Sequence, residues 1–512
     1  MARYKAVDES LRFVAVNPAA QILPGSFEHA LTLLIDQDVG LGVFEARFKN
    51  DEVGAPAYSP AVLLKIVLLA YSKGIVRSRE IEALCRENVL FNAVSGDSRP
   101  HFTTIAKFVS SQATPIADLF ARVLVICNRE GLIGRQMFAV DGVKLPSNAS
   151  KAKSGRRADF EREAAKMQAQ VEKLLQAHRA ADAQGAAPDA SAASPLAERV
   201  ERLQAQAEQV REWLHEHPHD RTGPNGKVRQ SNRTDNESAK MATGKGVIQG
   251  YTGVAAVDEK HQIIVEAQAH GVGSEQELLL GVVDALKEKG QLEADTVLTT
   301  DAGYCSERGL QGLEQRGIDA CIADPNWRKR DERFADQQAH REKKDPLWDK
   351  SAKPDKPRLF RPSDFQPAED LSHCICPAGK RLYRNGQHRD LKGLQAVHFT
   401  GAKRDCLSCP LRAQCLRKPD KTAVRQVIIV IGRTPGKPQK ALERMKRKVD
   451  SQEGRDLIAR RFATVEPVFG NIRYNKRLDR FTLRGQQKVD AQWKLYCLVH
   501  NIEKLANNGY AS

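Results

Sequence analysis

Three acidic residues stand in segments that would aim their side chains at a common site. Asp141 ends the apolar run of residues 137–140, and Asp301 ends the run of residues 296–300. Glu466 lies inside the apolar segment 463–469, where a solvated surface glutamate would be unexpected. Carboxylates are the ligands that Mg²⁺ prefers, and two such ions about 4 Å apart stabilise the attacking and leaving oxygens in phosphodiester chemistry. These acids therefore predict a two-metal site, in which Mn²⁺ can replace Mg²⁺.

Each acid also has a structural interpretation when it is taken alone. Asp141 and Asp301 can be ordinary polar residues at strand ends, although each is followed by small residues that would let a phosphate approach. Arginines and lysines surround Glu466 in the sequence, so this glutamate is either ion-paired or a metal ligand facing phosphate. Only the three acids together, and not any one of them alone, indicate a metal site.

The elements that must position Asp141 and Asp301 alternate between strands and helices. Short apolar runs precede both acids, a β-hairpin is predicted over residues 250–271, and helices are predicted near residues 274–290 and 308–317. This alternation predicts an α/β fold with a mixed sheet. If the two acid-bearing strands are neighbours in that sheet, both carboxylates face one site.

The N-terminal part, residues 1–130, is predicted to be a helical domain. Ser59 is followed by Pro60, which indicates a capped helix that runs to Gly74, and further short helices follow after tight turns. Such a bundle suits a helix-turn-helix DNA reader or a packing and assembly domain, and periodicity does not separate the two.

Two insertions are predicted within the rest of the chain. Residues 131–330 are expected to form the first part of the α/β core, interrupted at residues 155–225 by a helical hairpin that acts as a spacer. Residues 331–450 are polar and rich in Pro, Lys and Cys, and residues 451–512 are expected to complete the core with C-terminal helices.

Five of the ten cysteines fall between positions 374 and 415. Thiolates at these spacings suit tetrahedral Zn²⁺ in a structural site. The predicted ligands, with Cys374 or His373 as a spare, are Cys376, Cys406, Cys409 and Cys415. The alternative is that reduced cysteines cluster here without a metal. The other five are predicted to be core residues: Cys85, Cys127, Cys305, Cys321 and Cys497.

Charge favours a polyanionic partner. The chain carries 80 Lys and Arg against 64 Asp and Glu, and residues 421–512 alone carry 20 against 8. Nucleic acid is the favoured partner, with a solubilising surface as the alternative. Neither a signal peptide nor a long apolar span is evident, so we expect an intracellular protein of the cytoplasm without a membrane partner.

Several motifs together resemble the DDE transposases of bacterial insertion sequences, most closely the insertion-sequence-1182 type. The segments that carry the resemblance are FAVDGVKLPSNASK, RTDNESAKM, QGYTGVAAVD, VLTTDAGYCSERGL and RFATVEPVFGNIR. In the N-terminal part the matching pieces are YSPAVLLKIVLLAYSKG and RPHFTTIAKF, and in the cysteine-rich part CPAG and CxxCPLRxxC.

The resemblance implies a ribonuclease-H-like catalytic core with Asp141, Asp301 and Glu466 as its acids. It also implies cleavage and strand transfer at the ends of a mobile element. The expected partners are double-stranded DNA, as terminal inverted repeats and target, and further copies of the chain in a dimeric or larger synaptic complex. The alternatives are an inactive DNA-binding descendant of a transposase, or a nuclease with the same core.

The signature around the third acid departs from that family. Four residues before Glu466 the chain has Phe462 instead of Arg, with Arg461 one place away, and the expected Tyr position holds Ala459. Seven residues after the acid, Arg473 replaces Lys. The residues predicted to contact DNA phosphates are Lys144, Lys151, Arg461, Arg473, Lys476 and Arg477.

Two lesser signals complete the sequence-based predictions. Arg233, Asp235 and Glu237 resemble a family motif and are predicted to support the site or contact DNA. For the basic residues after Asp141, among them Lys144 and Lys151, a solvated loop is an equal alternative to phosphate contacts.

Overall fold

The computed structural model of the chain describes residues 17–46, 56–183, 190–223, 226–244, 246–338, 359–391, 394–433 and 440–510. The chain divides into two compact units. The first comprises Met1–Arg330 and Met445–Ser512, and the second comprises Asp331–Arg444.

The N-terminal segment of the first unit is helical, as the sequence predicts. Ser59 caps the third helix by accepting a hydrogen bond from the backbone N–H of Ala61, which confirms the predicted Ser-Pro start. The helices of this segment are α1 (Phe27–Leu33), α2 (Gly42–Glu45), α3 (Pro60–Ser72), α4 (Ser78–Glu87), α5 (Val89–Ser95), α6 (Phe102–Ser111) and α7 (Ala113–Arg129).

A mixed sheet forms the centre of the first unit. The strands of this unit are β1 (Met137–Pro146), β2 (Ser154–Gly155), β3 (Ser231–Asn232), β4 (Ala239–Thr243), β5 (Gly246–Asp258), β6 (Ile264–His270), β7 (Val297–Thr300) and β8 (Asp319–Ile322). The strand order is β4-β5-β1-β7-β8, with β6 also paired to β5, while β2 and β3 pair separately. β1 runs antiparallel to β5 and parallel to β7, and β7 runs parallel to β8.

β1 is longer than the sequence predicts. The expected strand stops at Asp141, whereas β1 continues to Pro146 because its antiparallel partner β5 extends that far. Its parallel pairing with β7, by contrast, stops at Val140 and Thr300. The prediction that the strand ends at Asp141 is therefore wrong for the edge of β1 that pairs with β5, and right for the edge that pairs with β7.

Helices connect and flank these strands. Between β2 and β3 lie α8 (Arg157–Ala183) and α9 (Ala190–Glu216), which contact each other through a small apolar cluster of Phe160, Ala164, Val210 and Leu214. The other two helices of this part are α10 (Leu279–Glu288) and α11 (Glu307–Gln315).

The second unit contains a sheet of its own. Its strands are β9 (Gln366–Pro367), β10 (His373–Ile375), β11 (Arg381–Arg384), β12 (Arg389–Leu391), β13 (Leu394–Gly401) and β14 (Gln426–Arg433), and its short helices are α12 (Lys403–Cys406) and α13 (Arg412–Cys415). All pairings in this sheet are antiparallel.

Three helices follow, α14 (Ala441–Asp450), α15 (Gln452–Gly470) and α16 (Gln486–Asn507). α16 is buried along most of its length because it packs against α3 and α7 on one side and β6 on another. In the described part of the chain, no single helix is long and apolar enough to cross a bilayer, and α6 and α7 pass that test only as a pair bent by 73°.

Candidate active site

The sheet brings Asp141 and Asp301 to the same edge. Val140 and Thr300 are the last residues paired in the parallel ladder between β1 and β7, and the two aspartates follow them directly. Because parallel strands present their carboxyl ends at one edge, the two carboxylates emerge next to each other. The Asp301 carboxylate also accepts a hydrogen bond of 3.0 Å from the backbone N–H of Gly303, which fixes its direction.

Glu466 reaches this edge from α15, which contacts β1, β7 and β8. The residue is exposed, so the expectation that this position is shielded from solvent is wrong, because the helix turns it away from its apolar neighbours Val465 and Val468. Ser451 caps the start of α15 by accepting a hydrogen bond from the N–H of Gly454. Pro467 lies inside the helix and has no N–H to donate to the carbonyl of Ala463. That carbonyl instead accepts a 3.1 Å hydrogen bond from the Gln262 side chain, which ties the helix to the β5–β6 turn close to the acid.

The three predicted acids line one cavity of about 300 Å³. They come from positions 141, 301 and 466, and only the fold brings them together. The remaining lining residues are Thr300, Ala302, Ala323, Pro325, Trp327, Arg328, Ile458, Arg461 and Phe462. No sequence signal had singled out Arg328, whose guanidinium lies over the ring of Phe462 at 5.7 Å from its centre.

Arg461 is paired directly with the first acid. Its Nη2 donates a 2.6 Å hydrogen bond to Asp141 Oδ2, and the arginine side chain is only 2% exposed. Burial raises the pKa of Asp141 to about 6, Arg461 and the Gly142 N–H oppose this rise, and the charges of Asp301 and Glu466 add to it. The site thus concentrates negative charge, and Arg461 supplies a buried cation that pairs with its first acid.

Tyr304 lies close to Gly142, the residue that follows Asp141. Its side chain is completely buried, and its hydroxyl has no hydrogen-bond partner among the described residues. A Cβ at Gly142 would lie 2.9 Å from this hydroxyl, so the glycine leaves the space that the tyrosine occupies. Burial raises the pKa of Tyr304 well above its usual value, and the charges of Asp141, Glu275 and Asp301 raise it further.

Glu275 is an acidic residue near the site that sequence reasoning missed. It opens a short 3₁₀ turn, Glu275–Glu277, and forms a 3.0 Å ion pair with Lys144 of β1. The predicted phosphate-binding residue Lys144 is thus engaged with a carboxylate in this structure. Glu275 follows the polar segment GVGS rather than an apolar run, so the pattern that revealed Asp141 and Asp301 was not available for it.

The donor set suits a divalent cation in its chemistry, although it is not arranged for one. Among the residues that the structure describes, no three His, Cys, Asp or Glu side chains are placed to hold a metal ion. Arg461 already engages one of the Asp141 carboxylate oxygens. Two buried polar atoms at this place, Tyr304 Oη and Arg461 Nε, have no partner within the described chain, so the site has bonding capacity left for a ligand.

Two parts of the chain match known protein families. Residues 375–506 match a family model described as "Transposase DDE domain", and residues 17–111 match one described as "Transposase domain (DUF772)". The two matches support a DDE transposase. No curated protein matches the chain. The first matched range contains Glu466, whereas Asp141 and Asp301 lie between the two ranges, and neither match favours the alternatives of an inactive descendant or a nuclease.

The basic residues predicted to contact DNA phosphates lie in unlike surroundings. Arg473 and Arg477 are exposed near the end of α15. The amine of Lys151 donates to the carbonyl of Val247 at an exposed position. Lys476, however, is buried and donates to Glu503 at 2.7 Å, so its amine serves a structural ion pair and is not available to a phosphate.

The motif around Asp235 anchors the start of α16. Asp235 is buried and accepts hydrogen bonds of 2.9 Å from the Tyr251 hydroxyl and 3.2 Å from the N–H of Gly485. Glu237 accepts a 2.8 Å hydrogen bond from the N–H of Gln486, and Arg233 pairs with Glu163 of α8. The contacts of these residues tie neighbouring elements together, which agrees with a supporting role.

In the second unit, the four predicted zinc ligands line one small cavity of about 30 Å³. The N–H of Lys380 donates to Cys376 Sγ over 3.4 Å, across a turn in which Gly379 adopts a positive φ of 71°. The two proposed spares lie outside the cavity lining, because Cys374 is buried in the apolar cluster of this sheet and His373 pairs with Ser372. All described cysteines are free thiols, and among the residues that the structure describes no three His, Cys, Asp or Glu side chains are placed to hold a zinc ion.

Proposed function

We propose that this chain is a DNA transposase that cleaves DNA and transfers strands at the ends of a mobile element, with divalent metal ions bound by Asp141, Asp301 and Glu466. The observation that carries the proposal is the convergence of these three acids, from distant segments, on one cavity. The family-model matches support the same class of protein. The insertion-sequence-1182 type remains our assignment within that class.

We further propose that the sheet is a ribonuclease-H-like core. Its support is the strand arrangement, in which β6, β5 and β1 are antiparallel neighbours and β1, β7 and β8 are parallel neighbours. In this interpretation α8 and α9 form one insertion, and the compact unit Asp331–Arg444 forms the other.

Within this proposal each acid has a defined task. Asp141 and Asp301 hold their carboxylates at the rigid edge of the sheet, and Glu466 approaches from α15, so metal ligands are supplied from two sides. Bound Mg²⁺ ions, for which Mn²⁺ can substitute, stabilise the attacking and leaving oxygens of the phosphodiester. Arg461 keeps the first carboxylate neutralised within the buried site.

The DNA partner is proposed to lie along the face that bears the cavity and the exposed arginines. Arg473 and Arg477 carry the positive charge that suits phosphate contacts, whereas Lys476 is left out because it is buried against Glu503. The substrates are the terminal inverted repeats and a target duplex, and at least two copies of the chain must meet to hold two ends.

We also retain a structural zinc ion as a proposal for the second unit. The lining of a single small cavity by Cys376, Cys406, Cys409 and Cys415 supports it. Burial raises the pKa of Cys415, Arg425 opposes the rise, and the three neighbouring cysteines add to it; a Zn²⁺ ion would instead favour the thiolate form that binds it. Because the thiols are not yet arranged as ligands, they must approach each other when the ion binds.

The function is tested by cleavage of DNA that flanks the coding region and carries its terminal repeats. We expect Mg²⁺-dependent nicking by the wild-type chain and its loss in Asp301→Asn, while binding of the same DNA, measured by gel shift, is retained. The loss follows because Asn removes the charge that binds the ion but keeps the shape of the side chain.

Asp319→Asn is the matched control. Asp319 begins the neighbouring strand β8, and its side chain pairs with Lys448 instead of facing the cavity. This variant should cleave like the wild type. Normal cleavage by Asp301→Asn would show that the acids are assigned wrongly, and the absence of metal-dependent cleavage in the wild type on any flanking DNA would contradict the transposase proposal.

A further inference from the structure

A fourth carboxylate borders the same point as Asp301. A Cβ on Gly303 would overlap Glu275 Oε2 and would lie only 3.1 Å from Asp301 Oδ1. The two carboxylates therefore share the space that the missing side chain of Gly303 leaves open. Glu275 is only 17% exposed in its side chain, so it is held in this place and does not sample the solvent freely.

The hydroxyl of Tyr304 is an independent sign that a ligand belongs here. It is fully buried, has no hydrogen-bond partner in the described part of the chain, and feels the charges of Asp141, Glu275 and Asp301. A buried hydroxyl without a partner costs free energy. A hydrated cation would complete this group, because its water molecules can donate hydrogen bonds to the carboxylates and to the oxygen of the tyrosine.

The chain itself pairs two of these carboxylates with cations of its own. Asp141 is paired with the guanidinium of Arg461, and Glu275 is paired with the amine of Lys144 at 3.0 Å. Two positive charges thus stand beside the acids, in the region where divalent ions are proposed to bind. A divalent cation carries the charge of both side chains on a single ion, and it binds carboxylate oxygens more tightly than an ammonium group does.

We infer that Glu275 is a fourth carboxylate of the metal site. When the hydrated ion binds at Asp301, the Glu275 carboxylate leaves Lys144 and binds the ion. The inference rests on the proposed metal-dependent function and adds a residue to it. It also gives Lys144 two states, since its amine is held by Glu275 before the ion binds and becomes available to a phosphate afterwards.

The test is a Mn²⁺ titration of the purified full-length chain, in which the electron paramagnetic resonance signal of free Mn²⁺ reports binding. Glu275→Gln should weaken binding of one ion by about tenfold, the usual scale for a residue close to a bound metal. Lys144→Met should strengthen it, because this variant removes the cation that competes for Glu275. Glu277→Gln, two residues away in the same turn and paired with Arg229, should titrate like the wild type.

Gly303→Ala provides a second variant that leaves every charge in place. Its methyl group would displace the Glu275 carboxylate, so Mn²⁺ binding should weaken here as well. Thermal melts in EDTA establish that each variant is folded, and if Glu275→Gln does not fold, Gly303→Ala and Lys144→Met decide the matter.

The inference is overturned if Glu275→Gln binds Mn²⁺ as tightly as the Glu277→Gln control does. If Glu275→Gln does not fold, the same conclusion follows when both Gly303→Ala and Lys144→Met titrate like that control. Asp301→Asn separates this result from a failure of the proposed function. If Asp301→Asn binds Mn²⁺ weakly while the Glu275 variant does not, only the inference fails; if Asp301→Asn binds like the wild type, the proposed metal site itself is wrong.

Discussion

Arg461 donates a 2.6 Å hydrogen bond to Asp141 across 320 positions of sequence, and both residues line the same cavity. The arginine is buried, so its charge has no solvent to stabilise it and depends on this carboxylate. Metal binding at Asp141 must therefore either displace the guanidinium or share the carboxylate with it. The Arg461–Asp141 pair neutralises the first acid of the site and sets the competition that an incoming ion meets.

Metal binding should depend on pH with a midpoint near that of Asp141, whose pKa is raised to about 6, first by burial. A protonated carboxyl is a poor ligand, so Mn²⁺ affinity should fall as the pH drops through about 6 and should level off above it. Without metal, the raised pKa should also make the free energy of unfolding decline as the pH rises from about 4 to 6. In this range the folded state still holds a proton on Asp141 that the unfolded chain, with a pKa of 3.8, has already released. Isothermal titration between pH 5 and 8 and melts in EDTA measure the two effects. A flat pH profile of Mn²⁺ affinity would contradict the role of Asp141.

Arg461→Met should change metal binding in opposite directions at high and low pH. At pH 8 the variant should bind Mn²⁺ about tenfold more tightly, because a nearby positive charge that repels the ion is gone. The midpoint of the pH profile should move above 6, because Arg461 is the charge that holds the pKa of Asp141 down. Arg460→Met, whose parent residue pairs with Glu259 outside the cavity, is the control and should leave both quantities unchanged. Weaker binding by Arg461→Met at pH 8 would mean that the arginine serves mainly to orient Asp141.

Asp141 and Asp301 could be predicted from the sequence because local patterns determine their positions. A short apolar run predicts a buried strand, and an acid that follows it emerges at the edge of the sheet. The length of β1 could not be predicted in this way, because its continuation to Pro146 depends on pairing with β5, more than a hundred residues later. The location of Glu466 on a helix was predicted, but its approach to the strand edge depends on the packing of α15.

The partners of the charged residues could not be predicted, because they are set by contacts between distant segments. Nothing near Lys476 in the sequence indicates that it meets Glu503 on α16, and nothing near Lys144 indicates Glu275. The family signature placed an arginine at position 462, whereas the chain supplies its buried cation from position 461. Sequence patterns thus identified which residue types gather at the site, while the fold determines which cation neutralises which acid.

Arg473 and Lys476 should respond differently to loss of charge. Arg473→Gln should weaken binding of an end-containing duplex and reduce the slope of log affinity against log salt by about 1, as expected for one lost phosphate contact. Lys476→Gln should instead lower the free energy of unfolding by about 1–3 kcal/mol, because Glu503 loses its buried partner. Fluorescence anisotropy at several salt concentrations and urea denaturation separate the two outcomes. A salt slope altered by Lys476→Gln without loss of stability would return this lysine to the DNA-contacting face.

The cysteine cavity of the second unit should hold one zinc ion. If Cys376, Cys406, Cys409 and Cys415 bind zinc, elemental analysis of the purified chain should find about one Zn²⁺ per chain, and Cys409→Ser should lose it. Cys374→Ala is the matched control, because Cys374 lies in the neighbouring apolar cluster and does not line the cavity. It should keep the metal despite some loss of stability from the smaller side chain.

The thiols should also become protected from alkylation when zinc is added, since bound thiolates are poor nucleophiles. A well-folded chain that contains no zinc, and whose four thiols react equally with and without it, would show that these cysteines only pack against one another.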